Sequence, residues 1–170
     1  AQHDTVAKAV REFGADYLKL GLADARKKPR EWQSNVEQIQ RSLPGQHRWV
    51  AVAYADFKRA NSPSPIDVCR FAIRSKAAVL LIDTFRKDGT NLMSWISRDQ
   101  LKQLRSETAA RGIQLALAGK VTQHDLLELA LIGPDIVAVR GAVCDHGDRV
   151  SAVSELRVRE FKEAMTTCGA

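Results

Sequence analysis

The chain has 170 residues, 45% of them hydrophobic, and carries 26 Lys and Arg against 20 Asp and Glu, a net charge of +6. That length predicts a single domain spanning residues 1–170, with enough apolar material for a substantial core, which excludes a disordered tail or linker. The basic residues are scattered apart from Arg26, Lys27, Lys28 and Arg30, so a nucleic-acid groove is not expected. No apolar run approaches the roughly 18 residues that a bilayer span needs, and no membrane partner is expected. The basic balance fits anionic small substrates.

The predicted elements alternate in type along the chain. Residues 5–14 place Val6, Ala9, Val10 and Phe13 at helical spacing and close on Gly14, predicting a short amphipathic helix. The run DYLKLGL at 16–22 follows as a strand. A second helix is predicted over 31–43, stopped by Pro44 and Gly45, and then the strand WVAVAYAD at 49–56. The Pro/Ser stretch 61–65 reads as loop, with Pro65 suited to the first turn of a helix at 65–75. The strand AAVLLID at 77–83 opens into a loop at 86–91. The helix at 97–111 has Ser97 as N-cap and Gly112 beyond its end. The strand IQLALAG at 113–119 and a helix at 123–131 that ends at Gly133 and Pro134 come next. A strand, DIVAVRG, at 135–141, a Gly- and Asp-bearing loop and a last helix at 152–166 complete the chain.

Five strand–helix units in succession predict an α/β fold with a parallel sheet. Each strand is a near-continuous apolar run, the pattern of strands buried on both faces. No Gly-rich dinucleotide turn (GxGxxG) follows any strand, so no nucleotide cofactor is expected. Five units are too few to close an eight-stranded barrel alone. Two unpaired edges therefore predict further N-terminal residues, or a partner such as a second copy of the chain, to cover them. The start at Ala1, without an initiator Met and inside a predicted helix, points the same way.

Parallel α/β enzymes build their sites at the carboxyl ends of strands. Alternation in the first strand puts Tyr17, Lys19 and Gly21 on one face. A lysine among apolar strand residues is expensive unless it is paired or partly neutral, and desolvation makes an amine usable as a base or a Schiff-base nucleophile. The alternative is a lysine reaching into solvent. Asp83 closes an apolar strand, and Lys87, four residues on, can fold back over it; such a pair relays protons in imine formation and enolisation. Otherwise Asp83 is a cap and Lys87 is solvated. Asp56 is a second candidate acid–base or substrate-binding group, or a helix cap. Gly119 with Lys120, and Arg140 with Gly141, follow consecutive strands where small residues let backbone N–H groups approach an anion, and an Arg adds a bidentate partner.

The histidines His3, His47, His124 and His146 have no metal or triad spacing and read as surface or loop residues. Cys69, Cys144 and Cys168 form no metal-binding spacing, and no metal site is expected. Their odd number, with no signal sequence, predicts a reducing cytoplasmic setting. Cys144 reads as a small buried residue, and Trp32, Trp49 and Trp95 as packing groups.

Taken together, the blocks GADYLKLGL at 14–22, AYAD at 53–56, LIDT at 81–84 with KDG at 87–89, ALAG at 116–119, and IGPDIV at 132–137 with VRGA at 139–142 resemble the (5-formylfuran-3-yl)methyl phosphate synthase family over essentially the whole chain. The resemblance implies a parallel (β/α)₈ TIM-type barrel, of which this chain holds the C-terminal five units. It implies a cofactor-free, lyase-type synthase. Two molecules of glyceraldehyde 3-phosphate, a small phosphorylated aldehyde, are joined through a lysine Schiff base with loss of phosphate and water. The product is a phosphorylated furan aldehyde for methanofuran-type one-carbon carriers. Lys19 matches a lysine that acts as proton acceptor in the family, and Asp83 and Lys87 match an active-site pair. The family carries three further βα units before the first block, with its Schiff-base lysine on an early strand. Lys120 stands where the family motif has a small hydroxyl residue. The rival readings are another Schiff-base aldolase and a non-catalytic phosphate-ligand-binding barrel fragment.

Overall fold

A computed structural model describes residues 15–27, 31–42 and 48–169, so the helix expected at 5–14 lies outside the described residues. Five strands form one sheet: β1 (Tyr17–Leu20), β2 (Arg48–Tyr54), β3 (Val79–Asp83), β4 (Gln114–Leu117) and β5 (Ile136–Val137). They are hydrogen-bonded in the order β1-β2-β3-β4-β5, each neighbouring pair parallel. The order equals the chain order, with no reversal. The sheet is therefore wound in one direction only and has no switch point of the doubly wound kind.

The helices are α1 (Trp32–Ser42), α2 (Pro65–Arg74), α3 (Arg98–Ala109), α4 (Leu126–Ile132) and α5 (Glu155–Cys168). Their starts and stops follow the local sequence. Ser64 caps α2, accepting from the Asp67 N–H, with Pro65 in the first turn. Ser97 and Gln100 form a reciprocal capping box on α3. Gly133 ends α4 in the left-handed region at φ 69°.

Strand alternation sorts the apolar residues into two bodies. Ala51, Ala53, Leu80, Ile82, Leu115 and Leu117 face the helices and join Trp32, Val36, Phe71, Leu101, Leu129 and Phe161 in the main core. The opposite face holds a separate cluster of strand residues alone: Val50, Val52, Val79, Leu81, Ala116 and Ala118. This second, inner cluster explains the unbroken apolar runs, because both faces of the central strands are buried. The helices take one face, so strand-end groups in phase with Val50 and Leu81 emerge on the other.

Several elements are shorter than the sequence suggests. The strand expected over 135–141 is confined to Ile136–Val137, and the last helix begins at Glu155 rather than 152. Cys144 is buried, as expected, while His124 and His146 are exposed. Trp32 packs in the core, but Trp95 is 37% exposed and serves a different purpose, described below. Among the described residues no helix is long and apolar enough to cross a membrane.

Candidate active site

Strand β3 carries Asp83 to the carboxyl edge of the sheet on the inner face. Its Oδ1 accepts the N–H of Thr84 at 2.7 Å and the Lys87 ammonium at 3.0 Å. The same ammonium donates to the Thr84 carbonyl. The chain turns sharply after the strand, which brings Lys87 back over Asp83 as an ion pair with side chains 40% and 26% exposed. A pair this exposed adds little to stability. Its consequence is positional: an amine and a carboxylate share one point at the rim.

The loop that carries Lys87 is fastened from three sides. Asp56, 2% exposed, lies beneath it and accepts the N–H of Phe85 at 2.6 Å and the N–H of Arg86 at 3.0 Å. Arg59 pairs with Asp88 and lies over the Trp95 ring, 4.7 Å from its centroid. The Trp95 indole N–H donates to the Thr90 hydroxyl at 2.9 Å, and that hydroxyl donates to Asp88 at 2.8 Å. The Arg59 guanidinium, with Thr90 after it, holds the Asp88 carboxyl well below the usual carboxylate range. From the other side, the Lys120 ammonium donates to the Gly89 carbonyl.

Gly119 closes the floor between β3 and β4. Its φ is +109°, and a Cβ there would lie 2.9 Å from Thr84 Cγ2 and 3.1 Å from the Thr84 nitrogen. Its carbonyl accepts the Leu92 N–H at 2.8 Å. Only glycine meets both demands, so the small residue expected after this strand lets two loops touch.

Lys19 lies on the same inner face, because the register pairs it with Val50 and Val50 with Val79. Asp83 is four residues beyond Val79, about 13 Å further along the strand direction. Lys19 is exposed and makes no hydrogen bond or ion pair with another described residue. Arg140 and Gly141 make no hydrogen bond or ion pair with the Asp83 cluster. The Arg140 guanidinium donates to the carbonyls of Arg149 at 3.1 Å and Ser151 at 3.4 Å, and Gly141 lies against the Gly147 carbonyl. Together they order the loop that follows β5.

Two residues of the cluster carry no obvious mark in the sequence. Tyr54 is in register with Asp83 on the neighbouring strand, with its ring edge-on to Phe85 at a centroid distance of 5.3 Å. Desolvation, then the charges of Asp83 and Asp56, push its phenol above the ordinary tyrosine range. Counting by twos from Val50 would have placed it on the inner face. Arg59 has no comparable signal, because its partners Asp88 and Trp95 are distant in sequence.

The family model for 4-HFC-P synthase matches residues 1–162. The chain is 35% identical over 150 residues to the (5-formylfuran-3-yl)methyl phosphate synthase of Methanosarcina barkeri, covering 87% of this chain and 64% of that protein. It is 33% identical over 167 residues to the Methanopyrus kandleri synthase, covering 95% and 70%. The Methanocaldococcus jannaschii synthase is 34% identical over 153 residues, covering 88% and 65%. The chain thus spans about two thirds of the length of these relatives, 64% of the first. Among solved structures, a mandelate oxidase variant superposes with a TM-score of 0.62 at 15% identity, covering 98% of this chain and 55% of that one, a likeness of fold alone. A sheet wound in one direction, a Lys–Asp pair at its carboxyl edge and a family match along nearly all of the sequence agree: this chain belongs to the 4-HFC-P synthase family.

Proposed function

We propose that this chain supplies the C-terminal five βα units of a (β/α)₈ synthase that joins two glyceraldehyde 3-phosphate molecules into a phosphorylated furan aldehyde. The observation that carries the reading is the placement of Lys19, Asp83 and Lys87 on one face of the sheet in a member of this family. The inner apolar face, lined by strand residues alone, supports a barrel interior.

In this reading a lysine on an earlier strand attacks one aldehyde carbonyl and loses water to form the imine. Removal of a proton from the adjacent carbon gives an enamine, which attacks the carbonyl carbon of the second aldehyde. Lys19 approaches from the floor of the site and accepts the proton. Asp83 and Lys87 work at the rim and relay protons as water and phosphate leave. The turns at Gly119 with Lys120 and at Arg140 with Gly141 face the substrate phosphates, and Asp56 serves by holding the loop of Lys87. The reaction needs no cofactor, and the protein works in the cytoplasm.

The test is borohydride reduction of the complete protein with glyceraldehyde 3-phosphate, with peptide mapping of the trapped lysine and detection of the furan aldehyde. Imine trapping together with furan product supports the synthase. Trapping without furan product points to an aldolase acting on another aldehyde. Neither signal would reduce the chain to a phosphate-ligand-binding barrel.

A further inference from the structure

The Tyr54 phenol stands on the face that bears Lys19 and Asp83, and no described residue uses its hydroxyl. Tyr54 ends β2 on the inner face, in register with Asp83. Its ring is fixed on one side by the edge-on contact with Phe85. On the other side the phenol oxygen reaches over Gly21, just beyond β1: a Cβ at Gly21 would lie 2.7 Å from it. The side chain therefore reaches from the loop after β3, where its ring meets Phe85, to the end of the strand that bears Lys19, where its hydroxyl lies over Gly21.

This hydroxyl belongs to a half-buried residue, makes no hydrogen bond with another described residue and is not sealed from solvent, so it is free to meet a ligand. Desolvation first, then the charges of Asp83 and Asp56, oppose its ionisation, so it stays a donor at neutral pH. Gly21 has ordinary backbone geometry, with φ outside the left-handed region. Its missing side chain is therefore explained by the room the phenol takes up.

Resting on the synthase reading above, we infer that Tyr54 is a catalytic residue whose hydroxyl donates a hydrogen bond to the carbonyl oxygen of the aldehyde under attack. That oxygen gains negative charge as the carbon–carbon bond forms, and a donor already aimed at it strengthens most in the transition state. The alternative is a packing tyrosine, whose ring against Phe85 is its whole contribution.

The experiment is a double-mutant cycle in the complete protein, with turnover and borohydride trapping read side by side. Tyr54→Phe keeps the ring and removes an unpartnered hydroxyl, so the thermal midpoint should not move. The expected result is a fall in kcat of about 10²–10³-fold, with KM and imine trapping within about twofold of the parent. Gly21→Ala should also lower kcat, by displacing the phenol. In the Tyr54→Phe background, where no oxygen meets the new methyl group, Gly21→Ala should have no further effect. Parental kcat in Tyr54→Phe would overturn the inference, as would an equal loss from Gly21→Ala in both backgrounds. A parent protein that forms neither imine nor furan product would instead overturn the synthase reading, and this inference with it.

Discussion

Both oxygens of Asp56 are committed to the amides of Phe85 and Arg86, directly before Lys87. Asp56→Asn leaves one oxygen for two N–H groups and turns an amide donor toward the other. One N–H then loses a charged acceptor, which costs about 1.5–3 kcal/mol. Denaturant unfolding should show that loss, and amide exchange at Phe85 and Arg86 should quicken; an unchanged midpoint would mean that solvent already serves these amides. Gly119→Ala combines a strained φ with a methyl group against Thr84 and should cost at least about 1–3 kcal/mol. Thr84→Ser, which removes Cγ2 but not the φ penalty, should rescue Gly119→Ala only in part, measured by thermal melts. Asp56 and Asp83 read alike in the sequence, each closing an apolar run. The difference is that β2 ends at Tyr54 and the chain then turns inward, whereas β3 runs through Asp83 itself. Lys120 was visible as a charge at a strand end, but its acceptor, Gly89, lies 31 residues away and leaves no trace in local pattern.

Helix α2 shows the same division at the next scale. Its start was legible from Pro65, but not that Cys69, wholly buried, would sit against Glu107 of α3. Burial first, then Glu107, pushes this thiol up to about 12 from an ordinary 9.0. In the unfolded chain the thiol ionises near its ordinary value, so the folded state holds the proton longer. The stability this gives is complete below pH 9 and declines as pH rises toward 12. Cys69→Ala should flatten the alkaline fall in unfolding free energy between those values relative to the parent; identical slopes would refute the assignment. On the helix-facing side of the sheet, Leu80→Ala should cost about 2–5 kcal/mol in denaturant unfolding, because Leu80 is fully enclosed. The ends of elements were less legible than their existence. Strand β5 bonds to β4 only as far as the Ala138 N–H, which donates to the Leu117 carbonyl at 2.8 Å, although the apolar run goes on to Val139.

At the scale of the molecule, sheet direction and strand order follow from the strand–helix repeat, since short crossovers place successive parallel strands side by side. That Lys19 shares a face with Tyr17 and Gly21 was legible as alternation, and the reach of Lys87 back over Asp83 as a spacing of four. The depth of Lys19 below Asp83 was not, because register depends on pairing across strands. The loop clamp of Arg59, Asp88 and Trp95 was also out of reach, since Arg59 comes from the unit before that of Asp88 and Trp95. The central claim is that this face is the working half of a furan-forming synthase. The direct measurement is turnover of glyceraldehyde 3-phosphate to the furan aldehyde by the complete protein carrying Lys19→Ala, Asp83→Asn, Lys87→Ala or Lys87→Arg. The account predicts that the first three each lose about 10²–10⁴-fold in kcat while the fold is retained. It predicts that Lys87→Arg is also slow, because arginine keeps the charge but does not give up a proton. Near-parental rates in both Lys19→Ala and Asp83→Asn would contradict the account.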